Sequence, residues 1–144
     1  MKRIKRRAAA ALVLAFLILA GLGYFLVRLA EDGASWAMYR ANASVYTDGI
    51  LDCGILTDRD GLILARMGGG EHRYADDETV RISSLHAVGD FLGYIGSGAL
   101  TVYADRLAGY SFWEGTTAGG QTVALSLDAD LQIAAWTALA GRSG

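Results

Sequence analysis

Ser83, Ser84, His86 and Asp90 crowd one short segment and include the residue types of a serine-hydrolase triad. Such triads assemble in space from separate elements, so proximity along the chain says little about geometry. A polar loop or an exposed strand face is the expected structure there. Asp58-x-Asp60 and Asp128-x-Asp130 offer paired carboxylates. Neither continues into a calcium loop with a third oxygen donor and a twelfth-position Glu, so turn and cap roles are expected. Cys53 and His72 fall two ligands short of a structural zinc site, and Cys53 reads as a partly buried free thiol. The glycine-rich stretches lack the Gly-Lys-Ser/Thr of a phosphate loop. Asn42-Ala43-Ser44 matches a glycosylation acceptor, which matters only in a eukaryotic secretory pathway. No metal and no cofactor is expected.

Charge narrows the field further. The 144 residues carry a net charge of −2, with Lys2, Arg3, Lys5, Arg6 and Arg7 gathered at the N-terminus. Beyond them eight arginines face fifteen acids, so no basic stripe remains and nucleic acid is excluded as a partner. Lysine occurs only at positions 2 and 5, which removes lysine-assisted serine chemistry from the rest of the chain. One cysteine excludes an intrachain disulfide. With 53% hydrophobic and 19% charged residues, a disordered chain is not expected.

The elements that must position these groups begin with Ala8–Val27, twenty residues without a charge. A helix of that length spans about 30 Å, the thickness of a bilayer's hydrocarbon core. The basic cluster before it predicts a cytoplasmic N-terminus, with Tyr24, Trp36 and Tyr39 suited to the outer interface and Trp36 equally suited to the ectodomain core. The run is longer than a signal peptide's apolar region, and nothing better than Gly33-Ala34-Ser35 comes after it as a cleavage site. An uncleaved single-pass anchor is expected.

Outside it, Gly54–Thr57 and Leu62–Ala65 flank Asp58-Arg59-Asp60-Gly61, a turn signal that predicts a β-hairpin, with Gly68-Gly69-Gly70 breaking its second strand. Leu85–Ile95 mixes strand-like residues with Gly89 and Gly93 and fits no single element. Ser97 is placed to cap a helix through Ala108, with Leu100, Tyr103, Ala104 and Leu107 on one face and Gly109 as its stop. Ala118–Gln121 reads as a turn and Thr122–Leu127 as a strand with Val123, Leu125 and Leu127 on one face. Asp128 then caps a helix over Ala129–Ala140, with Leu131, Ala135, Ala138 and Leu139 as its buried stripe and Gly141 as its end. The fold class is α+β: one transmembrane helix, then a small mixed ectodomain with a β-hairpin, one or two helices and a terminal strand–helix unit.

Cys53-Gly54-Ile55-Leu56-Thr57-Asp58-Arg59-Asp60-Gly61-Leu62-Ile63-Leu64-Ala65 resembles the Arg-Gly-x-Ile-x-Asp-Arg-Asn-Gly-x-x-Leu-Ala segment that comes after the membrane helix of class B penicillin-binding proteins. Gly54, Asp58, Arg59, Gly61, Leu64 and Ala65 match, whereas Cys53 stands where that family has Arg. Gly98-Ala99-Leu100 through Tyr103, Leu107 and Gly109 is similar to the family's Gly-x-Glu-x-x-Tyr-x-x-x-Leu-x-Gly helix, with Leu100 replacing the acid. Val123–Gly141 is similar to the strand and helix that open its transpeptidase domain.

The resemblance implies a bacterial membrane protein of peptidoglycan synthesis, with cell-wall synthesis proteins and a second copy of itself as partners. It implies a cytoplasmic tail (1–7), an anchor (8–27), a pedestal or dimerisation module (28–121) and the first strand and helix of a truncated transpeptidase domain (122–144). The family's Ser-x-x-Lys, Ser-x-Asn and Lys-Thr-Gly motifs are not in this chain, and none of its eight serines has Lys three positions on. Catalysis by these 144 residues is therefore not expected. Asp58 and Arg59 are expected to stabilise the turn or a lobe contact. If the last strand and helix lack their partner, Val123, Leu125, Leu127, Leu131 and Leu139 form an exposed patch. The alternative is a small single-pass adaptor of a cell-wall assembly.

Overall fold

The apolar run lies within α1 (Lys2–Ala37), a helix of 36 residues in the computed structural model, which describes residues 2–116 and 119–139. Just past Val27, Arg28 pairs with Glu31 at 3.4 Å and with Asp32 at 2.6 Å, so charge resumes where the apolar stretch stops. The helix is long and apolar enough to cross a membrane. The chain divides into two compact units, Met1–Gly33 and Ala34–Gly144.

In the second unit, α1 ends at Ala37, whose carbonyl accepts from the Asn42 side-chain amide at 2.8 Å. A two-strand ribbon, β1 (Tyr46–Thr47) and β2 (Ile50–Leu51), leads into β3 (Ile55–Thr57) and β4 (Ile63–Gly68). These two pair antiparallel, Leu56 opposite Ala65, as the hairpin signal predicts. Leu56, Leu64 and Ala65 sit at the centre of the core with almost no exposure. As expected, the three glycines end the second strand, β4. Gly68 pairs with Glu71, leaving Gly69 and Gly70 as a two-residue turn at φ 65° and 79°, and a further strand, β5 (Glu71–Tyr74), runs back along β4. Positive φ at both turn positions matches the twist of paired strands, and glycine adopts it without steric cost.

The first residues of the Leu85–Ile95 segment close a helix, α2 (Glu78–Val88). Asp77 caps it, accepting from the amides of Thr79 at 2.7 Å and Val80 at 3.0 Å. Its buried stripe is Val80, Ser84 and Val88 at four-residue spacing, with a serine in the middle position that hides the periodicity. Ser97 is not a cap. The cap residue is Gly98, and the expected single helix is two short ones, α3 (Ala99–Val102) and α4 (Ala104–Leu107), separated at Tyr103 with φ −108° and ψ 22°. A Cβ on Gly89 would lie 2.9 Å from Gly98 Cα, so this crossing of two backbones fixes where α3 starts. Leu100, Ala104 and Leu107 are buried as their spacing predicts.

β6 (Thr122–Ala124) joins β3 in parallel, completing the sheet order β5-β4-β3-β6. Val123, Leu125 and Leu127 pack against the core, so these three have a partner and leave the expected exposed patch. Asp128 caps α5 (Ala129–Leu139) through the Leu131 amide at 2.9 Å. The predicted stripe of α5 is overturned: Leu131 and Leu139 are 63% and 61% exposed, and Ala135 and Ala138 are exposed too. Ala129 is buried and Ile133 packs on the core, because α5 meets α2 along that line instead. Ala118, Ala140 and Gly141 lie outside the described residues.

Candidate functional site: the Asp58–Arg59 clamp

Asp58 closes the β3–β4 hairpin, and the residue is only 3% exposed. One carboxylate oxygen accepts from the amides of Asp60 at 2.9 Å and Leu62 at 2.8 Å, while the Asp58 amide itself donates to Leu62 O at 2.9 Å. The other oxygen faces the Ala129 amide, 3.4 Å away at the start of α5. A buried carboxylate there satisfies orphan amides of a turn and meets the positive end of a helix, which is how its charge is tolerated. Arg59 works in the same direction from outside. Its amide donates to Leu127 O at 2.9 Å, and its guanidinium pairs with Asp128 and, at 3.3 Å, with Asp60. Gly61 donates to Asp58 O at 3.3 Å and completes the turn.

Two further residues of the motif act at other points of the strands. Gly54 has φ 100°, and a Cβ there would stand 2.8 Å from Leu107 O and 2.9 Å from Leu107 Cβ. Only glycine lets the end of α4 pack this closely on the chain just before β3. Leu64 is buried beside Leu56 in the core. Leu107 O accepts from the Gln121 amide at 2.8 Å, and Gln121 O from Ile55 at 3.0 Å, so the approach of Gly54 also sets the register of β6. Gly54, Asp58 and Arg59 therefore join the hairpin to α4, β6 and α5, while Gly61 acts within the turn and Leu64 within the core.

The structure does not gather the triad-type residues. Ser84 is buried and its hydroxyl donates to Val80 O at 2.7 Å, Ser83 donates to the same carbonyl at 3.2 Å, and His86 is exposed. All three lie on α2, not on a loop or a strand. Asp90 instead organises the loop after α2. Its carboxylate accepts from the amides of Ile95 and, at 3.0 Å, Tyr94, and these bonds, Ile95 first, hold its pKa below the ordinary 3.8.

Cys53 is a buried free thiol, pushed above 9.0 by burial and then by the neighbouring Asp52 charge. His72 packs its ring against Phe91, 5.6 Å between centroids. Among the described residues no three His, Cys, Asp or Glu side chains come together as a metal site. Asn42 uses its side-chain oxygen on Ser44, at 2.7 Å from the hydroxyl.

Sequence reasoning missed Gly120, which packs against the Cys53–Gly54 backbone where a Cβ would lie 2.9 Å from Cys53 C. It also missed Asp52, whose side chain binds the Gly70 amide at 2.8 Å and the Thr47 hydroxyl at 2.8 Å. An acid just before the hairpin, with a glycine-rich turn after it, was the available signal. No protein family, curated protein or solved structure matches this chain.

Proposed function

We propose that this chain is the non-catalytic, membrane-anchored front of a class B penicillin-binding protein, serving peptidoglycan synthesis by holding a D,D-transpeptidase domain at the membrane. One observation carries the reading. The three segments that resemble that family, Gly54–Ala65, Gly98–Gly109 and the region from Val123, pack against one another. Gly54 abuts Leu107, β3 pairs with β6, Asp58 reaches the amide of Ala129, and Arg59 pairs with Asp128.

The mechanism is positional. The basic tail keeps the N-terminus in the cytoplasm, α1 confines the protein to the membrane plane, and the ectodomain stands on the outer side among lipid-linked wall precursors. Confinement raises the effective concentration of enzyme and precursor without any new contact. Chemistry belongs to the parent's serine-type transpeptidase domain, not to these residues.

The test reads the native transcript past the codon for Gly144 and labels membranes with a fluorescent β-lactam. An in-frame continuation carrying Ser-x-x-Lys and Lys-Thr-Gly, with a labelled band of matching mass, is expected. A stop codon and no labelled product would overturn the reading in favour of a stand-alone adaptor.

A further inference from the structure

Two of the chain's three methionines, Met38 and Met67, line one cavity of about 400 Å³ in the second unit. Leu51, Phe91 and Leu100 complete its floor. Leu51, Met67 and Leu100 are buried core residues, and Met38 and Phe91 pack against that core, so the cavity is a dent in the hydrophobic interior. Methionine is unbranched and adapts to the shape of an apolar guest. Ala34 and Ser35, in the last turn of α1, form one wall.

The rim is polar. Arg40 has no acid partner among the described residues. A Cβ on Gly93 would collide with Arg40 Nη2 and stand 3.5 Å from Thr101 Oγ1. The guanidinium and that hydroxyl therefore meet beside a backbone that only glycine leaves bare. Burial raises the Tyr46 phenol above 10.0 and the Arg40 charge opposes the rise, so the cation lies near that hydroxyl too. The hydroxyls of Ser35, Tyr46 and Thr101 make no hydrogen bond among the described residues. Two acids share the rim, and both hold backbone amides: Asp90 those of Tyr94 and Ile95, Asp105 that of Arg106. A guanidinium and three hydroxyls thus remain to bind a head group, and all of them can donate. The charges of Asp90 and Asp105 oppose a multiply charged head, which favours a single carboxylate over a phosphate.

We propose that this cavity binds a free fatty acid, its carboxylate on Arg40 and Thr101 and its chain over Met38, Met67 and Leu100. Volume sets the number of chains. A methylene takes up about the room of a water, about 30 Å³, so about 400 Å³ holds about a dozen carbons of one chain and leaves no room for the second chain of a phospholipid. A bilayer is a reservoir of such chains, and Ala34 follows Val27 by seven residues of the same helix, a rise of about 10 Å. Apolar burial supplies the affinity, and Arg40 fixes which end of the ligand stays at the mouth.

The experiment uses the full 144-residue chain in phosphatidylcholine nanodiscs with diazirine-bearing myristate, photolysed and mapped by peptide mass spectrometry. Label on the apolar run of α1, which the bilayer delivers in every sample, is the internal reference. Myristate is expected to label the peptides that carry Met67 and Leu100 as well. Phosphatidylcholine bearing the same diazirine chain is expected to label α1 alone. Arg40 and Ser35 are both exposed, so their replacement leaves the core intact. Arg40→Gln is expected to lower the Met67 and Leu100 label at least about tenfold relative to α1, the scale of a lost charge-assisted hydrogen bond. Ser35→Trp narrows the mouth and is expected to lower it as far. Absence of label at Met67 and Leu100 would overturn the proposal, and so would label unchanged by either substitution. Equal labelling by phosphatidylcholine would overturn it as well, because the cavity would then take bilayer lipid of any head group.

Discussion

Replacing Asp58 by Ala removes the acceptor for two turn amides and for the first amide of α5. The two short bonds, at 2.9 and 2.8 Å, are charge-assisted and worth about 1.5–3 kcal/mol each when the donors stay dry. The turn itself is exposed at Asp60 and Leu62, so water reaches those amides after the carboxylate is gone and returns part of that energy. The Ala129 contact is long at 3.4 Å and contributes like a weak cap, about 0.5–1 kcal/mol. Together these give a loss of about 3 kcal/mol for Asp58→Ala, a large share of a small domain's stability. Asp58→Asn keeps one acceptor but turns an amide donor toward a backbone donor, and about 1–2 kcal/mol is expected.

Urea unfolding of the full chain in micelles, monitored by far-UV circular dichroism, measures both, because α1 stays helical in detergent and gives a constant background. Arg59→Ala is the internal control. Its side chain is 56% exposed, so even with Asp128 as partner its loss is expected at about 1 kcal/mol or less. A stability for Asp58→Ala within about 0.5 kcal/mol of the parent chain, or a larger loss for Arg59→Ala than for Asp58→Ala, would refute the clamp as the joint between hairpin and α5.

Two further outcomes are expected. Gly54→Ala combines a φ of 100° with a Cβ 2.8 Å from Leu107 O, so about 2–4 kcal/mol of stability is lost, and loss of protection at the Gln121 amide in hydrogen exchange reports it; protection equal to the parent's would contradict the close approach. Burial, then Asp52, raises the Cys53 pKa above the ordinary 9.0, so the neutral thiol is the form the fold favours. Its stabilising contribution is full below pH 9.0 and is lost as pH rises through the folded value, and Cys53→Ala should flatten that alkaline decline. Iodoacetamide should accordingly modify folded Cys53 far more slowly than the urea-unfolded chain at about pH 8, and equal rates would show the thiol is not shielded.

Elements whose partners lie close along the chain were legible in the amino-acid sequence. Twenty uncharged residues make a long apolar helix in any context. Asp58 to Gly61 makes a turn, Asp128 caps α5, and Leu100, Ala104 and Leu107 share a face, all because the partners lie within a few residues. Tertiary structure decided the rest. α2 escaped notice because Ser84 sits in the middle of its buried stripe, a hydroxyl satisfied by Val80 O that reads as polar in sequence. α5 turned Ala129 and Ile133 inward rather than Leu131 and Leu139, since an apolar helix leaves the choice of face to its neighbour, here α2. The clamp was legible as a set of residues but not as a joint. Asp58 and Ala129 are 71 positions apart, and only the pairing of β3 with β6 brings a turn's carboxylate to a helix's first amide.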